Sequence, residues 1–70
     1  MRRLFNGGER IALYLVADGK CEKCGDELEA GWHADHIVPF KKGGETHVSN
    51  GQALCVDCNL KKGCKVYAAA

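Results

Sequence analysis

Apolar positions between Glu9 and Gly19 return at helical spacing. In "GERIALYLVADGKC", Ile11, Leu15 and Asp18 fall on one face and Ala12 and Val16 on the adjacent one, and Gly19 is a natural stop. The pattern predicts a short helix that covers a small core, with Tyr14 and Leu15 adding bulk. The pattern changes at Trp32. "WHADHIV" reads as a strand that Pro39 ends, with Trp32 in the core, and "KKGGETHVSN" reads as a polar, glycine-rich loop. "GQALC" reads as a second short strand. "VDCNLKKG" reads as a closing helix, with Asp57 in its first turn, Lys61 and Lys62 in its last and Gly63 at the stop. The predicted order is helix, strand, loop, strand, helix: an α+β domain.

Seventy residues make one domain with a marginal core, so a staple is expected. Five cysteines offer either disulfides in a secreted chain or a metal in an intracellular one. "MRRLFNGGER" has basic residues but no apolar run of signal length after it, and no stretch is apolar enough to cross a membrane. Both points favour the cytoplasm and a metal. Cys21 and Cys24 are separated by two residues and followed by Gly25, and Cys55 and Cys58 repeat the spacing. Two such pairs supply four thiolates for tetrahedral zinc. A closed site of this kind is structural. It would clamp the two ends of the 30-residue insert between Cys24 and Cys55 and couple folding to metal. Cys64 is left over, read as a free thiol with a replacement ligand or an intermolecular disulfide as the alternatives.

The net charge of +1 conceals an asymmetry. Residues 41–70 carry Lys41, Lys42, Lys61, Lys62 and Lys65 against Glu45 and Asp57, which suits a polyanionic partner or a merely solvated surface.

The zinc cysteines do not account for "WHADHIVPF". On a strand, Asp35 and His36 point to opposite faces, so something opposite must complete a site around them. Asn59 follows Cys58 directly, so the clamp fixes its position. Oxygens from Asp35 and Asn59 would suit one hard cation such as Mg2+, and His36 is placed to act as a general base on water. Together these are the minimum for phosphodiester hydrolysis.

"HADHIVPFKKGGETHVSNGQALCVDCNLKKG" resembles the HNH (His-Me finger, ββα-metal) endonucleases, through Asp-His-Ile-x-Pro, a Gly-Gly loop, an Asn and Leu-Cys-x-x-Cys before Asn and Lys. The resemblance covers about residues 21–63. It implies a single nuclease domain: an N-terminal helix over 1–20, a zinc-clamped ββα core over 21–63 and a tail over 64–70. It implies that His36 is the general base, Asp35 a metal ligand, Asn50 the residue that braces the loop, and Asn59 a metal ligand where many members have His. Amide oxygen favours Mg2+ or Mn2+ over softer ions. DNA is the implied partner, cut to 5′-phosphate and 3′-hydroxyl ends. The N-terminal helix resembles the start of nuclease domains joined to a helicase in some bacterial and phage proteins.

Lys62 is expected to contact phosphate, with Lys61, Lys41 and Lys42 as a wider basic footprint. His33, two residues before Asp35, is a further candidate for phosphate or the metal's outer shell, against a plain surface role, and His47 is taken as solvated. The rival readings are a zinc-bound nucleic-acid-binding module without catalysis, and a zinc protein-interaction module.

Overall fold

A computed structural model describes residues 3–63; Cys64, Lys65 and the rest of the expected tail lie outside the described residues. Helix α1 spans Gly7–Val16, strand β1 His33–His36, strand β2 Gly51–Leu54 and helix α2 Val56–Lys62. Two single 3₁₀ turns, Phe40–Lys42 and Val48–Asn50, punctuate the connection between the strands. The strands and the closing helix lie where the hydrophobic pattern puts them.

Asn6 starts α1 with a capping box. Its side chain accepts from the Glu9 amide at 2.8 Å, and Glu9 accepts from the Asn6 amide at 2.9 Å, which satisfies two donors that the helix leaves unpaired. The face that α1 buries differs from the expected one. Leu13 is 2% exposed, whereas Ile11, Leu15 and Val16 face solvent. The reason lies in β2. A Cβ on Gly51 would sit 2.9 Å from both Leu13 methyl carbons and 3.1 Å from the Phe5 ring. The missing side chain is the space into which Leu13 and Phe5 pack, and this sets the rotation of α1.

β1 and β2 pair antiparallel, with His33 opposite Leu54, Ala34 opposite Ala53, Asp35 opposite Gln52 and His36 opposite Gly51. Residues directly opposite share a face. His36 and Gly51 therefore face Phe5 and α1, while Asp35, Gln52 and Leu54 face α2. The two-stranded sheet is the middle layer of three. On the α2 side the core is Cys21, Leu54 and Cys58, with Leu28 and Cys55 packed against them. The first cysteine pair is tied to β2 as well: the Glu22 amide donates to Ala53 O at 2.9 Å, and the Ala53 amide donates to Glu22 Oε2 at 2.8 Å. Trp32 lies just before β1 and is half-buried rather than core. The Arg10 guanidinium lies 4.3 Å from its ring centre, and Tyr14 packs beside it. Among the described residues no helix is long and apolar enough to cross a membrane.

Candidate active site and metal centre

The sulfurs of Cys21, Cys24, Cys55 and Cys58 all lie within 4.8 Å of one another, and Cys24 Sγ and Cys55 Sγ are 3.8 Å apart. A disulfide needs about 2.0 Å. Tetrahedral zinc at about 2.3 Å from each sulfur needs about 3.8 Å between sulfurs. The cluster therefore fits zinc, and it does not fit a pair of disulfides. Local backbone arranges it. Gly25 N donates to Cys21 O at 2.9 Å in the first turn, and Cys55 is the N-cap of α2, with Cys58 N donating to its sulfur at 3.4 Å. Burial pushes the Cys21 thiol up, but backbone amides of Cys24, Cys55 and Lys23 outweigh it and bring the pKa down to about 6. Burial and the neighbouring thiols push Cys58 up to about 12. Four thiols this close deprotonate as a set only when a cation shares the charge.

A second feature is an open cleft of about 210 Å³, whose lining includes Ala34, Asp35, His36, Phe40, Lys41 and Lys62, with Arg3 and Phe5 at its N-terminal side. Three consecutive residues of β1 line it, because it runs along the strand edge that β2 does not occupy. This is how Asp35 and His36 reach one space while pointing to opposite faces. The two belong to different layers. Asp35 Oδ1 accepts from Asn59 Nδ2 at 3.2 Å, and Asp35 Oδ2 accepts from Gln52 Nε2 at 3.1 Å and pairs with Lys62 Nζ at 3.2 Å. On the other side, His36 stacks near Phe5, with ring centres 4.6 Å apart, and its Nε2 lies 2.9 Å from Thr46 Oγ1. Burial lowers the His36 pKa below 6.5. The Asp35 carboxylate opposes that, and Lys62 and Arg3 reinforce it.

Asn50 closes the connection. Its Oδ1 accepts from Val38 N at 3.0 Å, and its Nδ2 donates to Val38 O at 3.1 Å and Glu45 O at 2.9 Å. Its own carbonyl accepts from Ile37 N at 2.9 Å. Gly44 sits inside this clamp: a Cβ there would land on the Val38 carbonyl. The Gly-Gly pair is therefore what lets the loop fold back against the end of β1.

The structure thus brings Asp35, His36, Lys62 and Lys41 to one cleft, sets Asn59 against Asp35 without lining the cleft itself, and places Asn50 beneath its loop. His33 is exposed, and neither it nor Lys42 and Lys61 lines the cleft. Lys62 is buried, not part of an open basic surface. His47 is exposed but not idle, since its Nδ1 accepts from Ser49 N at 3.1 Å and caps the second 3₁₀ turn. Thr46, Gln52, Phe5 and Arg3 were not anticipated. The signal for Gln52 is present in the sequence once the register is known, because a glutamine in an apolar four-residue strand sits opposite Asp35.

The donor set at Asp35 suits a hard cation. A carboxylate and the Asn59 amide converge there, both able to present oxygen and neither presenting sulfur, while Gln52 Nε2 and the Lys62 ammonium hold Asp35 Oδ2. Asn59 directs its nitrogen at Asp35, and a half-turn of the amide would present its oxygen instead.

A search of curated proteins returned no match. The HNH endonuclease family model matches residues 21–65, a span that contains both cysteine pairs, Asp35, His36, Asn50 and Asn59 and more than half of the chain; the chain belongs to the HNH endonuclease family.

Proposed function

We propose that the domain hydrolyses phosphodiester bonds in DNA, with His36 as general base and Asp35 and Asn59 holding one Mg2+ or Mn2+. The observation that carries this reading is the cleft along β1, where Asp35, with Asn59 3.2 Å from it, meets a histidine whose pKa burial lowers. When bound, the cation would polarise the phosphate and offset the charge that develops on it. His36 supplies the base. If Thr46 Oγ1 accepts from Nε2–H, the lone pair is left on Nδ1 to take the proton from water. Thr46 and the stacked Phe5 ring hold the imidazole in one orientation. Asn50 acts at one remove, fixing Val38 and Glu45 and with them the loop that carries Thr46. Arg3 and Lys41 give the cleft the positive rim that a phosphate backbone requires. The four cysteines hold structural zinc, and the zinc fixes Asn59 through Cys58.

The test is nicking of supercoiled plasmid with Mg2+ or Mn2+, beside a binding titration on the same DNA at fixed salt. Nicking that needs the cation and His36, leaving 5′-phosphate ends, is the expected result. DNA binding with no cutting under any divalent cation would favour a zinc-bound nucleic-acid-binding module.

A further inference from the structure

Lys62 is one of the most completely buried side chains among the described residues, at 2% exposure, in a cleft otherwise open to solvent. Lysine is almost never buried unless paired. Here the pair is with Asp35, 3.2 Å from Nζ to Oδ2, and the carboxylate is itself mostly covered. The position follows from the zinc clamp. Cys58 and Lys62 lie one helical turn apart on α2 and are both buried, so the face that delivers a ligand to zinc also delivers an ammonium to Asp35. On the reading that Asp35 binds a divalent cation, on which this inference rests, the fold fixes a unit positive charge within hydrogen-bond distance of the ligand. Gln52 Nε2 on the same oxygen keeps that oxygen committed.

We propose that Lys62 sets the affinity of the catalytic site for its cation. Its ammonium competes with the divalent ion for Asp35 Oδ2 and repels it, so the protein alone binds Mg2+ or Mn2+ weakly. A DNA phosphate adds the negative charge that lets both cations share the cleft. Cation binding and DNA binding therefore reinforce each other. A merely structural lysine would act in the opposite direction, because its loss would loosen the site and weaken the cation.

The experiment is a Mn2+ titration followed by electron paramagnetic resonance, with zinc content checked at each step. It uses the parent, Lys62→Met, Lys62→Arg and Asp35→Asn. Lys62→Met removes the charge at similar volume and is expected to tighten Mn2+ by about tenfold, since charges of +1 and +2 about 5 Å apart repel by that factor even at the dielectric of water. Lys62→Arg keeps the charge and is expected to stay within a few-fold of the parent. Asp35→Asn is expected to abolish the site. If Lys62→Met binds Mn2+ no tighter than the parent, the inference is overturned while Asp35 stands as a ligand. Equal binding by the parent and Asp35→Asn overturns both. Should Lys62→Met not fold, the parent decides: the nitrogen-15 resonance of the Lys62 ammonium is expected to move as Mg2+ saturates the Asp35 site. A resonance that stays put at saturation refutes the competition.

Discussion

The surroundings of His36 lower its pKa, and this gives its pH dependence a definite sign. Burial lowers its pKa first, Asp35 opposes, and Lys62 and Arg3 add to the lowering. On the proposed reading the neutral ring is the base, so the base is lost as pH falls through a folded value that lies below the ordinary one of about 6.5. Single-turnover cleavage is expected to fall along one acid limb centred below 6.5 and to level off above it on this group's account. A limb centred above 6.5 would contradict the burial argument. His36→Ala should lower the rate by about 10²–10⁴ and erase the limb, with DNA binding nearly intact. Thr46 works through His36. Thr46→Val removes one hydrogen bond, worth about 1 kcal/mol, and with it the preference for one tautomer. Cutting is expected to fall about tenfold at unchanged binding, and Thr46→Ser to restore most of it. Equal loss of binding in the valine variant would make Thr46 a structural residue.

Among the elements, the connection between β1 and β2 is held by one side chain and one absent side chain. Asn50 ties Val38 in both directions and Glu45 once, and Gly44 passes where no Cβ fits. Asn50→Ala leaves backbone groups of Val38 without these partners and should cost about 2–3 kcal/mol, read as a shift in urea midpoint at fixed zinc. Gly44→Ala should cost at least as much, because its clash is with backbone. A loop this constrained was readable as a loop from "KKGGETHVSN" but not as a clamp, since glycine and asparagine also mark loops that carry no load. The strands and both helices were legible because strand-forming and helical patterns are local properties. The rotation of α1 was not. Ile11, Leu15 and Val16 form as apolar a face as the one that is buried, and the choice of Leu13 is made by Gly51, thirty-eight positions away. Thr46 and Gln52 were hidden for the same reason: their partners are set by register and loop closure. Lys62 read as a phosphate contact and not as a buried partner of Asp35, because its burial depends on how Cys58 turns α2. The cysteine set was legible because paired spacing is itself a ligand geometry.

At the scale of the whole molecule, the metal centre is a large part of the core. Of the buried apolar cluster described on the α2 side, Cys21 and Cys58 are themselves candidate ligands, and Leu54 completes it. The four sulfurs are unequal in this respect. Cys21 and Cys58 are buried, Cys55 is half-buried as the cap of α2, and Cys24 is exposed. Replacing any of them with Ser should break one-to-one zinc binding at micromolar metal. The structural consequence should differ. Cys58→Ser and Cys21→Ser put a hydroxyl in the core as well as removing a thiolate, so these chains should be unfolded or molten at room temperature. Cys24→Ser removes a ligand at the surface and should leave a chain that folds with excess zinc at a lower melting temperature. Acid should act through the same set. Zinc needs thiolates, and protons compete with it for all four sulfurs, so lowering the pH should release zinc and unfold the domain in one step. Mild chelation at neutral pH should strip only the oxygen-rich site and abolish cutting, with the fold intact. A chelator strong enough to take the zinc should abolish cutting and folding together. Circular dichroism and zinc release recorded during one titration with each chelator separate the cases. If zinc leaves and the melting transition is unchanged, the clamp is not what holds β2 and α2 together, and the fixed position of Asn59 must come from packing alone.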